Sequence, residues 1–163
     1  MRFPVAALQV LFVCTGNICR SPSAESVLRR GLEAAGLSEQ ILVDSAGTHA
    51  YHTGDSPSKM AQRSGAKRGY DLSGLRAREV TAEDFENFDV ISAMDRGHVE
   101  FLRQLCPPAR TQRIQLFLNH APQPLQGQDV PDPYGGGAED YERTLDLIEE
   151  GMKGLIEHLQ SRL

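Results

Sequence analysis

Tryptophan is absent from the sequence, aromatic residues make up 6%, and only three cysteines occur among 163 residues. Three cysteines cannot form the disulfide framework of a small secreted protein, so the composition favours a reducing, cytoplasmic environment. The apolar stretch VAALQVLFVC, residues 5–14, is too short to cross a membrane, and the opening MRFP, residues 1–4, is unlike a signal peptide. A net charge of −5 argues against the basic face that nucleic-acid binding requires. We therefore expect neither a membrane nor a nucleic acid as partner.

The length fits a single domain over residues 1–163, because no repeat and no linker rich in proline, glycine or serine divides the chain. Apolar runs predict strands at 8–14, 41–47, 88–94 and, more weakly, 111–118. Helical periodicity predicts helices at 22–35, 58–67, 95–106 and 141–159, with a proline-containing loop at 119–137. This alternation predicts an α/β three-layer sandwich, in which helices cover both faces of a parallel sheet in a flavodoxin-like, doubly wound arrangement.

A polar loop, CTGNICRS at 14–21, follows the first strand, at the edge of the sheet where ligands of parallel sheets bind. Ser21 followed by Pro22 predicts a helix start with the serine as N-cap, which turns free N–H groups and the positive end of the helix dipole toward the loop. Gly16 and Asn17 tolerate the backbone angles of an anion-binding nest, and Arg20 offers a planar fork for two phosphate oxygens. The pattern predicts a phosphate-binding loop.

Cys14 lies at the end of the strand and at the floor of this loop. A lone cysteine before a strand-to-helix turn is most often a buried structural residue. Here the positive field of the loop favours the thiolate, which is the reactive form, and the five-residue gap to Arg20 is the spacing of a nucleophile and an anion clamp. The combination predicts a thiolate placed to attack phosphorus.

The stretch VLFVCTGNICRSPSAE, residues 10–25, resembles the signature loop of the low-molecular-weight protein tyrosine phosphatases. The segments DSAGT at 44–48, AMDR at 93–96 and DPYGG at 132–136 follow in that family's order and approximate spacing. The family's fold, a four-stranded parallel sheet flanked by helices, agrees with the alternation of strands and helices. The resemblance implies that the phosphate is bound by Thr15, Gly16, Asn17, Ile18, Cys19, Arg20 and Ser21.

The same resemblance implies a two-step hydrolysis of phosphotyrosine and small aryl phosphates, without a metal or any other cofactor. Cys14 would attack phosphorus and form a phosphocysteine, while Arg20 holds the phosphate oxygens. Asp132 would protonate the leaving group and then activate water. An aspartate between two prolines is otherwise most often a turn residue, and Asp129 is a nearby competitor for the role.

Four residues match supporting positions of the family, and three of them have a second interpretation. Ser21 matches the family serine that bonds the cysteine sulfur, but it also fits a helix N-cap. Asn17 and Ser45 match residues that brace the phosphate loop, although a serine after a strand is often only a turn residue. Asp95 matches a supporting carboxylate, and its position before a helix favours an N-cap more strongly.

Tyr51 and Tyr134 match aromatic residues that line the mouth of the family's cleft. Such walls let an aryl phosphate reach the sulfur and hold the shorter phosphoserine less well. The resemblance implies a phosphotyrosine protein as substrate, with a tyrosine kinase as one candidate. It also leaves open a monomer or weak self-association through the two tyrosines.

Two positions depart from the family pattern: Arg68 and Gly74 stand where relatives often have histidines behind the phosphate loop. Their substitution leaves the rigidity of the loop open. His49 and His52 form no metal-ligand pattern with a third residue, so we expect solvated loop histidines.

Cys19 lies in the same loop as Cys14, and the family offers precedent for a reversible disulfide between these positions. Such a bond would protect the nucleophile from irreversible oxidation. The alternative is a small buried apolar residue beneath the loop.

Two other functions use a similar loop. A thiol-dependent arsenate reductase needs further cysteines on a mobile segment, but residues 68–90 contain none, and Cys106 before two prolines has the character of a structural residue. A non-catalytic phosphate-binding module would need neither the thiol nor Asp132. The sequence therefore favours the phosphatase.

Overall fold

The computed structural model describes residues 6–163, so the expectation for residues 1–4 lies outside the described part of the chain. The strands are β1 (Leu8–Cys14), β2 (Ile41–Gly47), β3 (Val90–Ala93) and β4 (Ile114–Leu116). The helices are α1 (Arg20–Ala35), α2 (Lys59–Lys67), α3 (Asp84–Asn87), α4 (Arg96–Leu105) and α5 (Ala138–Ser161). Two 3-10 turns, Pro108–Arg113 and Phe117–His120, flank β4.

The four strands form one sheet in the order β2-β1-β3-β4, and every neighbouring pair is parallel. The chain leaves β1 toward β2 on one side and returns to β3 on the other, so β1 lies at the point where the winding reverses. In such sheets a crevice opens beyond the carboxyl ends of the strands at this point. The predicted four-stranded parallel α/β fold is confirmed, and the end of β1 is Cys14.

Side chains of β1 alternate between the two faces of the sheet, and both faces are buried. Val10 and Phe12 belong to the core that α1 and α5 cover, where Ile148 is also fully buried. Leu11 and Val13 belong to the opposite core, beneath α3 and α4. A strand covered on both faces needs the continuous apolar run that this sequence has.

The weakest predicted strand is shorter than expected. We expected residues 111–118, but only 114–116 pair with β3. A 3-10 turn begins at Pro108, and its last hydrogen bond runs from Ile114 N to Thr111 O. A second 3-10 turn begins at Phe117, directly after the strand. Because these turns use the backbone groups that a longer strand would pair, the edge strand stays short.

Helix α5 packs closely against the turn after β4 at Gly154. Glycine weakens an isolated helix, but it is needed here. A Cβ at Gly154 would overlap the carbonyl oxygen of His120, so glycine is required for this approach. The contact fixes the start of the long predicted loop, 119–137. That loop then returns to the sheet, where Val130 N donates to Met94 O at 2.9 Å.

Within residues 6–163, none of the helices is both long and apolar enough to span a membrane.

Candidate active site

The loop between β1 and α1 is held by the neighbouring strand end. Thr48 N donates to Cys14 O at 2.9 Å, and His49 N donates to Thr15 O at 3.1 Å. A Cβ at Gly47 would lie 2.7 Å from Thr15 O and 3.2 Å from Asn17 N, so only glycine lets β2 approach the loop. Asn17 itself has a φ of 58°, the left-handed conformation expected in a nest.

The sulfur of Cys14 lies 3.0 Å from Ser21 Oγ, and both residues are buried. The prediction that Ser21 caps α1 is wrong. The helix begins one residue earlier, at Arg20, with Cys19 at the N-cap position and no side-chain cap. Ser21 therefore lies inside the first turn, where its hydroxyl can reach the sulfur.

A buried amide cross-links this hydroxyl to β2. Asn17 Nδ2 donates to Ser21 Oγ at 2.8 Å and to Ser45 Oγ at 3.0 Å. Asn17 Oδ1 accepts from Arg78 N at 3.0 Å. The side chain thus uses its donors and its acceptor at once, and the arrangement favours bracing of the loop by Asn17 and Ser45.

A further buried carboxylate, which sequence reasoning missed, lies behind these residues. Glu25 is only 3% exposed, and its Oε1 accepts from Ser45 Oγ at 2.7 Å. Its Oε2 accepts from Arg29 Nε and Nη2 at 3.0 and 2.7 Å, and Arg29 Nη2 also donates to Val43 O. Glutamate and arginine four residues apart on a helix are usually a surface pair, which hides this role in the sequence.

The guanidinium of Arg20 is buried, with only 3% of the residue exposed. Its Nη1 donates to Asp95 Oδ2 at 2.8 Å and to Val130 O at 2.9 Å. Because Nη1 is fully used by the protein, the side of the guanidinium that carries Nη2 and Nε is left for an anion. This is the fork geometry that suits two oxygens of a phosphate.

Asp95 takes part in both of the interactions that the sequence left open. Its Oδ1 accepts from His98 N at 3.0 Å, which makes it the N-cap of α4, while Oδ2 holds Arg20. Burial alone would raise the pKa of the Asp95 carboxyl, but the hydrogen bonds from Arg20 and the His98 backbone outweigh it and hold the pKa below its ordinary value. Asp95 therefore stays ionised beside Arg20.

Asp132 lies at the mouth, with half of its side chain exposed. Its Oδ1 accepts from Tyr134 N at 3.0 Å, and its Oδ2 lies 3.6 Å from Arg20 Nη2. The competitor, Asp129, instead accepts from Arg96 N at 3.0 Å and does not line the cavity. Of the two aspartates, the geometry favours Asp132 as a group that can act on a bound substrate.

The predicted catalytic residues and most of the predicted phosphate loop surround one cavity of about 250 Å³, whereas Asn17, Ser21, Ser45 and Asp95 lie behind its lining. It is lined by Cys14, Thr15, Gly16, Ile18, Cys19, Arg20, Tyr51, His52, Asp132 and Tyr134. The two tyrosines are 71% and 63% exposed, so their rings are free to meet a ligand. Arg20 and Cys14 lie deep in the cavity, and the tyrosines stand at its outer edge.

The two histidines near the mouth, which we expected to be solvated, are only partly exposed and contact aromatic rings or the loop. The ring of His49 stacks on Tyr51 with 4.9 Å between centroids and also contacts Phe101. His52 lines the cavity, and its ring lies against Gly16. Among the described residues, no group of three or more histidine, cysteine, aspartate or glutamate side chains could hold a metal ion.

Cys19 is 5% exposed beneath the loop. Its sulfur lies 3.5 Å from Ser58 Oγ and 3.5 Å from Tyr141 OH. Burial raises the pKa of the Cys19 thiol above its ordinary value, so this sulfur stays protonated at neutral pH. Cys19 lines the same cavity as Cys14, which keeps both interpretations of its role open.

The two departures from the family pattern lie away from the phosphate loop. The guanidinium of Arg68 pairs with Glu142 at 2.6 Å, Asp146 at 2.9 Å and Glu149, all on α5. Gly74 faces open space. Arg68 therefore ties the end of α2 to α5, and bracing of the loop falls to Asn17 and the residues bonded to it.

Comparisons with known proteins agree with this geometry. Residues 9–163 match the low molecular weight phosphotyrosine protein phosphatase family. A putative low molecular weight protein-tyrosine-phosphatase of Synechocystis is 39% identical over 96% of this chain and 99% of its own length. A low molecular weight protein-tyrosine-phosphatase of Streptomyces coelicolor is 40% identical over 91% of each chain.

A solved structure supports the same assignment at the level of the fold. The crystal structure of a protein tyrosine phosphatase from Entamoeba histolytica, with Hepes in the active site, superposes with a TM-score of 0.90. It is 37% identical and covers 94% of this chain and 97% of that one. The chain therefore belongs to the low molecular weight phosphotyrosine protein phosphatases and is an enzyme of that type.

Proposed function

We propose that Cys14 is the nucleophile, Arg20 the phosphate clamp and Asp132 the general acid and base of a phosphotyrosine hydrolase. The observation that carries this proposal is that all three side chains line one cavity, with the sulfur at the end of β1 and Arg20 in the first turn of α1. The positive end of α1 points at the same place, and it favours negative charge on both the sulfur and a bound phosphate.

In the first step, the Cys14 thiolate forms a bond to phosphorus as the bond from phosphorus to the tyrosine oxygen breaks. Asp132 gives its proton to that oxygen, so the leaving group departs as a neutral phenol. Arg20 and the backbone N–H groups of residues 15–20 hold the other three phosphate oxygens through the transition state. The hydroxyl of Ser21, 3.0 Å from the sulfur, can donate to the thiolate.

In the second step, water attacks the phosphocysteine. Asp132, now a carboxylate, takes a proton from the water, and the bond from phosphorus to sulfur breaks. Inorganic phosphate leaves and the Cys14 thiolate is restored. The only groups that this sequence needs are the thiolate, the guanidinium, the backbone amides and one carboxyl, so we propose no cofactor.

Phosphotyrosine is the proposed substrate because the cleft is deep and aromatic rings line its mouth. Tyr51 and Tyr134 stand at the mouth while Cys14 is buried at the floor, so a flat aryl group can reach between them. A tyrosine kinase in the cytoplasm is one phosphoprotein that would supply such a group. The chain would act as a monomer or a weakly self-associating protein.

The test is hydrolysis of p-nitrophenyl phosphate and of paired phosphotyrosine and phosphoserine peptides, without added metal. Turnover should vanish in Cys14→Ser and fall by a factor on the order of a hundred or more in Asp132→Asn. Asp129→Asn is the matched control, because Asp129 pairs with Arg96 and does not line the cavity. It should leave turnover unchanged. Turnover that survives loss of Cys14, or equal rates on the two peptides, would contradict the proposal.

A further inference from the structure

A buried histidine that the sequence did not single out lies behind the phosphate loop. His98, on α4, is 5% exposed. Its Nε2 lies 2.8 Å from Thr15 Oγ1, and its Nδ1 lies 3.2 Å from Asp95 Oδ1. Its ring thus stands between a residue next to the nucleophile and the carboxylate that holds Arg20.

These contacts connect the two ends of the phosphate loop through side chains of another element. Thr15 directly follows Cys14, and Asp95 Oδ2 accepts from Arg20 Nη1 at 2.8 Å. The other links between the two ends are the loop backbone, which passes through the left-handed Asn17, and the contact of the Cys14 sulfur with Ser21 Oγ. The path over α4 lies on the opposite side of the loop from the Asn17 cross-link to β2.

The groups around the His98 ring favour one of its two neutral tautomers. A carboxylate can only accept, so an unprotonated Nδ1 facing Asp95 Oδ1 would be repelled, whereas a proton on Nδ1 is attracted. The Nδ1 contact is too bent to count as a hydrogen bond, and its effect is therefore electrostatic. With the proton on Nδ1, Nε2 carries the lone pair and accepts from the Thr15 hydroxyl.

The His98 ring is uncharged at neutral pH. Burial lowers the pKa of His98 to about 4, although the nearby Asp95 acts in the opposite direction. A neutral ring with one donor and one acceptor can serve both of its neighbours at once.

We propose that His98 is a positioning residue for the phosphatase reaction, which fixes Thr15 at one end of the phosphate loop and Asp95, with Arg20, at the other. The inference rests on the proposed roles of Cys14 and Arg20. Arg20 and the phosphate loop must fit the transition state more closely than they fit the bound substrate. Loosening them therefore lowers kcat more than it raises KM.

Three substitutions separate the two contacts. In His98→Gln the side-chain amide reaches the position of Nε2 and can still bond Thr15. In His98→Asn it reaches only the position of Nδ1, so the side facing Asp95 stays polar and the bond to Thr15 is lost. Thr15→Val removes the hydroxyl from the other partner and keeps the shape of the side chain.

We expect His98→Asn and Thr15→Val each to lower kcat for p-nitrophenyl phosphate by on the order of tenfold, with little change in KM. Because both remove the same bond, the double variant should lose no more than either single variant. His98→Gln should recover most of the rate. Equal losses in His98→Gln and His98→Asn, or losses that multiply in the double variant, would overturn the proposal, since a purely structural role predicts both.

The tautomer gives a second readout that does not depend on turnover. Long-range proton–nitrogen correlation spectra of the wild-type protein at neutral pH should show His98 protonated on Nδ1, and a proton on Nε2 would contradict the proposal. If turnover depends on Cys14 and His98→Asn matches the wild type, only the positioning role fails. If the wild type does not turn over, the proposed function fails, and the tautomer alone decides the contacts of His98.

Discussion

Arg20 is held between two carboxylates, with Nη1 2.8 Å from Asp95 Oδ2 and Nη2 3.6 Å from Asp132 Oδ2. The two contacts differ in kind. Asp95 also caps α4 and is fixed by that helix, whereas Asp132 lies on a loop with half of its side chain in solvent. The short contact orients the guanidinium permanently, and the longer one can open when a phosphate takes its place.

Asp95→Asn tests the fixed contact. Asparagine is also a good N-cap, so α4 should keep its start and Tm should change little. The charge-assisted bond to Arg20 becomes a neutral one, which should lower kcat/KM by about tenfold. Steady-state rates and thermal unfolding of the same preparations check both statements. An unchanged kcat/KM would show that the Asp95 carboxylate is not needed to orient Arg20.

Glu25→Gln tests the buried carboxylate behind the Asn17 network. The substitution leaves Arg29 and Ser45 with a weaker partner inside the protein, so the free energy of unfolding should fall by about 1–3 kcal/mol. Glu33→Gln on the same helix is the control, because Glu33 is exposed. Urea denaturation of the pair measures the difference. Equal free energies of unfolding would show that the Glu25 contacts do not stabilise the protein.

Cys19 is expected to protect Cys14 from oxidation. Peroxide would oxidise the Cys14 thiolate to a sulfenic acid, and the Cys19 sulfur would then displace water to form a disulfide that dithiothreitol reverses. In Cys19→Ser, peroxide inactivation should become irreversible, while Cys106→Ser should behave as the wild type. Peptide mapping under non-reducing conditions detects the bond. If wild type and Cys14→Ser are equally free of an internal disulfide, the hypothesis fails.

The low pKa of His98 predicts a loss of stability in acid. The value is about 4 in the folded protein against 6.5 ordinarily, so unfolding takes up a proton between these values. The contribution of the neutral ring is complete above pH 6.5 and is lost as the pH falls toward 4, to a total of about 3 kcal/mol. Arg20 opposes a charge on the ring, and Asp95, Asp132 and Asp129 favour one.

Unfolding of wild type and His98→Gln in urea across this range isolates the effect. The stability of the variant should depend less steeply on pH between 6.5 and 4, because glutamine does not titrate. Parallel curves would mean that His98 titrates alike in the folded and unfolded protein.

The parts of the fold and site that were predicted are those encoded locally. The strand before Cys14 is an apolar run, and the loop from Cys14 to Arg20 lies within a few residues of sequence, so both were visible there. Asp132 is distant in sequence and depended on the family resemblance. The start of α1 was predicted two residues too late. Proline is favoured at the first position of a helix, so Pro22 indicated a start there, whereas the helix begins at Arg20.

The residues that were missed act through contacts between distant segments. Glu25 has the pattern of an ordinary helix surface pair, and His98 that of one polar residue on an amphipathic helix. Their roles become visible only when β2 brings Ser45 to Glu25 and α4 brings His98 to Thr15. Short α3 was missed as well, since it lacks a periodic apolar stripe.

The phosphocysteine on Cys14 can be tested directly by trapping it. The wild type and Asp132→Asn are stopped in acid during turnover of p-nitrophenyl phosphate, and phosphorylated peptides are mapped by mass spectrometry. We predict one phosphoryl group on the peptide that contains Cys14, and more of it in Asp132→Asn, because p-nitrophenolate can leave without a proton whereas water attack needs the carboxylate as base. A phosphoryl group on another residue, or active enzyme that never carries one, would contradict the mechanism.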